Sequence, residues 1–260
     1  MAEKKHVFIV ASPRARTGKT TLARLIAEYL TLTGETRKLF DTDVIDHKLA
    51  SYFPTQAHIV DLERVPDQMK LFDSLTAGEP TSQVIDVSHR SFAKFFTLMR
   101  DIEYVAEARQ AGRYPVILFI PDAAAETYDQ GLAILEGFRD AGFVLVRNLA
   151  LGELPQEKLQ EGSVDILQSH KPHIIMPRLD PFTLSAVEDP RLSLSDFMRR
   201  TSTPDALGPI PPVQMSIAYL SLEARKATLY WLKTMFDEIR RATRDVDLQA
   251  YIVAHDRFGA

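Results

Sequence analysis

The sequence predicts an α/β fold in three layers, a mostly parallel sheet flanked by helices. Two observations predict it. From about residue 6 to about residue 176, short apolar runs alternate with longer amphipathic stretches, the pattern of strands joined by crossover helices. The short runs are apolar along their length rather than alternating, as strands buried on both faces are. The rule that ligands sit at the carboxyl ends of such strands then places Asp41, Asp43, Asp86, Asp122 and Asn148 on one edge, because each closes or follows a predicted strand.

Each element has its own warrant. "HVFIVAS" (6–12) is rich in β-branched and aromatic residues and reads as a buried strand. In the next stretch (18–34) Leu22, Leu25, Ile26 and Leu30 fall at helical spacing, and Gly34 ends the helix. "KLFDTD" is a strand ending in carboxylates, residues 46–81 carry no clear period, and "SQVIDVS" is a short strand ending near Asp86. Residues 91–112 read as one long amphipathic helix, "YPVILFIPD" as a strand, 126–142 as a helix, "FVLVRNLA" as a strand reaching Asn148, and "HIIMP" as one more short strand. The proline-rich stretch 178–211 reads as an extended segment or lid. From Ile217 to Ile239 a helix returns, with Leu220, Trp231 and Met235 near one face.

The 260 residues, 45% hydrophobic and 25% charged, suit a single globular domain, with a core over about 5–190 and a helical extension over about 212–260. The absence of cysteine excludes disulfides, thiolate metal sites and cysteine nucleophiles. A net charge of −4 gives no whole-chain attraction to nucleic acid or anionic lipid. No apolar run approaches the roughly 18–20 residues of a membrane span. The basic-then-apolar start "MAEKKHVFIVA" is better read as a first strand than as a leader, and the cytoplasm is the expected compartment.

The chemistry concentrates in "ASPRARTGKTT" (11–21). The phosphate-binding pattern G-x-x-x-x-G-K-[ST] is met here except at its first glycine, which is Pro13. Gly18 lets backbone approach a phosphate, Lys19 supplies a point charge to β- and γ-phosphates, and the Thr20 hydroxyl ligates Mg²⁺. Thr17, Gly18, Lys19, Thr20 and Thr21 are therefore the expected contacts to nucleotide. The helix starting here adds unpaired N–H groups and the positive end of its dipole. Pro13 removes one donor and fixes φ, and Arg16 adds bulk, so whether the loop hydrolyses ATP or only binds it stays open.

In this setting the chain resembles the MinD/ParA family of dimeric P-loop ATPases with a deviant Walker A motif, over roughly residues 5–190. Aligned on "GKT", Arg14 stands where that family has its signature lysine, which reaches across a dimer to the partner's nucleotide. Arginine suits that task because its planar fork matches phosphate oxygens. By the same resemblance "LFDTD" implies that Asp43 positions the attacking water and Asp41 supports the loop and its metal. "VIDVS" implies that Asp86 is an outer-shell Mg²⁺ partner. "LVRN" implies that Asn148 contacts adenine, and "IIMPRLDP" that Pro177 borders the base. Pro13, Ala15 and Arg16 depart from the family pattern.

The resemblance implies ATP and Mg²⁺ as cofactors, slow hydrolysis with Lys19, Asp43 and Arg14 in catalytic roles, and a homodimer with nucleotide sandwiched between chains. It further implies a protein activator and a task in positioning, partitioning or assembly. DNA contact through Arg240, Arg241 and Arg244 is diluted by neighbouring carboxylates. Membrane contact through the last residues is opposed by their aspartates, and a tail packed on its own domain is the better reading. Two alternatives stay open: a small-molecule transferase or ligase of dethiobiotin-synthetase type, in which Arg14, Arg16 and His89 bind an acidic substrate, and a nucleotide-binding scaffold without hydrolysis. His170 and His173 have a loose metal-like spacing but no third ligand.

Overall fold

Seven parallel strands form one sheet in the order β3-β2-β4-β1-β5-β6-β7. They are β1 (Lys5–Ala11), β2 (Arg37–Asp41), β3 (Ala57–Ile59), β4 (Ser82–Asp86), β5 (Arg113–Phe119), β6 (Gly142–Asn148) and β7 (His173–Met176). The computed structural model describes residues 4–78, 81–152, 154, 162–170, 172–188, 193–194 and 222–256. The predicted α/β class and the parallel sheet are both present. β1 lies between β4 and β5, with Ile9 opposite Ile85 on one side and Ile117 on the other. Pro115 precedes the first β5–β6 pair, Val116 with Gly142, so its missing N–H removes nothing from that ladder.

Strand alternation divides the core in two. Phe8 and Val10 face one side of the sheet, packing with α1 (Lys19–Leu32) and the C-terminal helix; Val7, Ile9 and Ala11 face the other. That second layer holds α3 (Val65–Thr76), α4 (Phe92–Asp101), α5 (Tyr104–Gln110), α6 (Ala125–Gly137) and α7 (Gly162–Ser169). The described residues add a short α2 (Lys48–Tyr52), α8 (Pro181–Glu188) and a long C-terminal helix, α9 (Leu222–Asp256).

Three elements differ from expectation. The long helix over 91–112 is broken in two at Glu103, whose φ is +51°. The break turns α5 so that Tyr104 is fully buried, its ring edge-on to Phe72 with centroids 5.6 Å apart, and this burial offsets the local strain of about 1 kcal/mol. The unperiodic stretch 46–81 folds as α2, β3 and α3, with β3 only three residues long at the sheet edge. The last helix runs on past Ile239 to Asp256; the expected residues 217–221 lie outside the described ones, as does most of the 178–211 segment beyond α8.

α9 closes the other sheet edge. The Glu238 carboxylate accepts the Ile175 N–H at 2.8 Å, and Arg241 donates to the His173 carbonyl at 2.8 Å, so side chains complete the outer ladder of β7. Near its end Val246 packs over Gly142, where a Cβ would lie 2.5 Å from the Val246 methyl, and Asp247 meets His6 at 3.0 Å. Among the described residues no helix is long and apolar enough to cross a membrane.

Candidate functional site

β1 ends at the centre of the sheet, and the turn from Ser12 to Gly18 carries the chain from its carboxyl end into α1. Ser12 Oγ accepts the Arg14 N–H at 3.3 Å, which starts the turn. Arg16 (φ +60°) and Gly18 (φ +93°) both take left-handed backbone. At Gly18 the space is also closed: an added Cβ would stand 2.8 Å from both Asn148 Nδ2 and Met176 Cε. Gly18→Ala is therefore expected to lower stability by about 2 kcal/mol through strain and clash. Chemical denaturation checks this, and a change under about 0.5 kcal/mol, that of an ordinary surface substitution, would contradict it.

Past the turn, the first bond within α1 runs from the Leu22 N–H to the Gly18 carbonyl at 3.0 Å. The amides before Leu22 thus have no partner inside the helix and form the positive end of its dipole. Lys19 folds back over the turn, its Nζ donating to the Arg14 carbonyl at 2.6 Å. Thr20 Oγ1 donates to Asp86 Oδ2 at 2.6 Å, joining the start of α1 to the end of β4. Thr17 is buried, and its Oγ1 has no hydrogen-bond partner. Thr21 Oγ1 reaches Glu188 Oε1 at 3.3 Å.

The acidic side chains at the strand ends differ sharply in environment. Asp86 is buried, and burial first, then the nearby Asp41 carboxylate, raises its pKa to about 7. Lys19 is lowered to about 8, again by burial, with Asp86 and Asp43 opposing the shift. Asp41 is fully buried and raised by burial; its oxygens accept the Asp43 N–H at 2.9 Å and the Ala50 N–H at 3.1 Å, which fixes the β2–α2 connection. Burial pushes Asp43 upward too, but N–H bonds from Asp46 and Ile45 and the Arg90 guanidinium outweigh it and hold the carboxyl below the usual range.

The remaining sequence-predicted residues lie around the same edge. Asn148 donates through Nδ2 to the Thr17 carbonyl at 2.9 Å, and its Oδ1 accepts the Ala150 N–H at 3.0 Å. Two backbone partners of opposite kind fix the amide's orientation, and the side chain braces the turn from behind. Pro177 lines the cleft, its carbonyl accepting Trp231 Nε1–H at 2.8 Å. Arg14 is exposed on the loop and lies 3.6 Å from Asp122 of its own chain.

Of the residues expected to serve nucleotide, metal or catalysis, all but Arg14 and Asp41 line one cleft of about 910 Å³. Its lining combines polar and charged residues, Lys19, Thr20, Asp43 and Asp86, with apolar ones, Leu151, Met176, Pro177, Leu184 and Trp231. Sequence reasoning missed Arg90 and Glu188. Arg90 follows four residues after Asp86, so the strand-end rule already placed it near the site; Glu188 gave no local signal. His89 also lines the cleft, its pKa lowered by burial and then by the charges of Lys19 and Arg90.

No family model matches the chain, and no curated protein matches it. Solved structures that do match include MinD cell division protein from Aquifex aeolicus, at 14% identity and TM-score 0.45, covering 87% of this chain and 96% of that one. Another is a nucleotide-binding protein from Archaeoglobus fulgidus in complex with ADP, at 14% identity and TM-score 0.44, covering 68% and 83%. A third is a putative plasmid partition protein from Borrelia burgdorferi bound to AMPPNP, at 13% identity and TM-score 0.38, covering 88% and 99%. At such identities function has to rest on the site's own geometry.

Proposed function

We propose that the chain is a nucleotide-dependent switch of MinD/ParA type, binding ATP with Mg²⁺ and hydrolysing it slowly. The observation that carries this reading is the junction of Gly18, Lys19 and Thr20 with Asp86, at a helix start that opens onto a cleft lined by both polar and apolar side chains. The helix N-terminus and a buried cation suit phosphate, and the apolar side chains of the lining suit a flat base. The unpaired Thr17 hydroxyl and the close-packed Gly18 fit a phosphate-holding turn.

A divalent ion fits beside Thr20. Among the described residues no group of three His, Asp or Glu is placed to hold a metal alone, so such an ion would draw its other ligands from phosphate and water. Thr20 would ligate it and Asp86 would act through the Thr20 hydroxyl; the ion's contribution is to neutralise charge on the β- and γ-phosphates.

The protein's own groups do the rest. Lys19 leaves the Arg14 carbonyl for the phosphates, the loop amides hold their oxygens, and Asp43 orients the attacking water. Arg14, exposed on the loop, would leave Asp122 to meet the nucleotide of a second copy and offset charge developing in the transition state. Two chains then pair around two ATP molecules, and hydrolysis separates them. Turnover of the isolated protein is expected far below the roughly 10 per second of a median enzyme, rising with a protein activator. The task we infer is positioning, partitioning or assembly of a partner.

Sedimentation with ADP, with ATP, and with ATP on Asp43→Ala tests this. Pairing with ATP alone, persisting in Asp43→Ala, supports the switch. An unchanged mass in all three, with nucleotide bound, favours a small-molecule transferase on the same loop.

A further inference from the structure

Asp43 is tightly occupied for a residue that has to hold water. Its Oδ1 accepts the Ile45 and Asp46 N–H groups at 3.2 Å each and Arg90 Nη1 at 3.2 Å; the same Nη1 lies 3.5 Å from Oδ2. Arg90 is also 3.7 Å from the Asp46 carboxylate. The guanidinium thus sits between two carboxylates on the rim of the cleft that holds Lys19 and Thr20.

The Arg90 side chain is 47% exposed, and an ion pair of that exposure is held weakly. A terminal phosphate is a stronger competitor: it carries more charge than a carboxylate and presents oxygens that match the planar fork. Lys19, His89 and Arg90 all line the same cleft. In a loop of this type the lysine reaches the β- and γ-phosphates, so a second cation lining the same cleft is offered the terminal phosphate.

We propose that Arg90 is a γ-phosphate sensor that exchanges partners: it binds either Asp43 or the terminal phosphate of a nucleoside triphosphate. This rests on the nucleotide reading of the site. When the guanidinium moves to phosphate, Asp43 keeps its two N–H bonds and its hydrogen bond to the Ser88 side chain, and the place the guanidinium held against its oxygens opens to water. Arrival of the substrate's last phosphate itself then arms the hydrolytic carboxylate, whereas a diphosphate leaves the Asp43–Arg90 pair in place.

The test compares ADP and AMPPNP, each with Mg²⁺, by titration calorimetry on wild type, Arg90→Gln, Arg90→Lys, Asp43→Asn and the double variant. Arg90→Gln is expected to weaken AMPPNP about tenfold while changing ADP less than about twofold, the size of one lost charge-assisted contact. Arg90→Lys recovers part of the loss, since it keeps charge without the fork. Asp43→Asn strengthens AMPPNP more when Arg90 is present than in the double variant, because only then is a competitor removed. An AMPPNP-to-ADP ratio unchanged by Arg90→Gln, or an equal loss for both nucleotides, overturns the proposal while leaving the site reading intact. Wild type that binds neither nucleotide overturns both.

Discussion

Arg113→Met is expected to lower the unfolding free energy by about 3 kcal/mol or more, the effect of stripping a buried charge from its partners. For a chain of this size that is a fall in Tm of roughly 6–12 °C. Arg113 opens β5 and is fully buried, the largest such side chain among the described residues. Its guanidinium donates to the carbonyls of Thr76 and Ala77 at 2.6 Å each, of Gly78 at 3.0 Å and of Ala111 at 3.3 Å. The first of these ends α3, whose last carbonyls have no partner within the helix and carry the negative end of its dipole. One side chain thereby caps α3 and ties it to the sheet. Methionine fills a similar volume, so the loss measures unsatisfied carbonyls rather than a cavity. Arg113→Lys keeps the charge but not the fork, and an intermediate loss is expected. Thermal unfolding of the three proteins checks the order; a loss under about 1 kcal/mol for Met would mean that water replaces the guanidinium.

Nothing in the sequence marks Arg113. A lone arginine before an apolar run reads as a solvated flank, and its burial depends on where α3 ends in space. The break at Glu103 escaped for a related reason: the helical period continues across it, and only packing of Tyr104 against Phe72 turns the chain. By contrast β1, α1, β4, β5 and β6 were legible because burial on both faces imposes continuous apolar runs, and amphipathic helices impose their own period.

The site divides along the same line. Gly18, Lys19, Thr20 and Asp86 follow from a local spacing and from the rule that functional groups gather at strand ends, and the structure brings them together. The partners that modulate them are tertiary. Arg90 reaches Asp43 across two loops, and Glu188 reaches Thr21 from α8, so no spacing in the chain encodes either pair. Asn148 was expected from the resemblance to face a base. Its two bonds, to the Thr17 carbonyl and the Ala150 N–H, give it a bracing task that only the fold reveals.

Asp86→Asn is expected to stabilise the nucleotide-free protein by about 1–2 kcal/mol at pH 8 and, on the proposed nucleotide reading, to weaken the stabilisation expected from Mg²⁺ and ATP. Burial and the neighbouring Asp41 raise the Asp86 carboxyl to about 7, well above its unfolded value. A raised folded pKa means that the native state favours the protonated acid. Its contribution is therefore fully present below about pH 4 and is lost as pH rises through about 7. Asparagine has no proton to lose and still accepts from Thr20. The advantage of the variant should accordingly vanish below about pH 4, grow between about pH 4 and 7, and level off above that. Lys19 works against part of this gain. Burial lowers it to about 8, and removing the Asp86 charge takes away the attraction that opposes that shift. The two proteins' unfolding curves, taken across pH with and without Mg²⁺ and ATP, separate the effects. A buried carboxylate kept at a stability cost beside a threonine hydroxyl and a lysine is what a metal–phosphate site requires. If Asp86→Asn destabilises the protein equally at pH 5 and pH 8 and leaves the Mg²⁺–ATP shift untouched, Asp86 is a structural brace for α1, and Thr20 loses its assigned partner in ion binding.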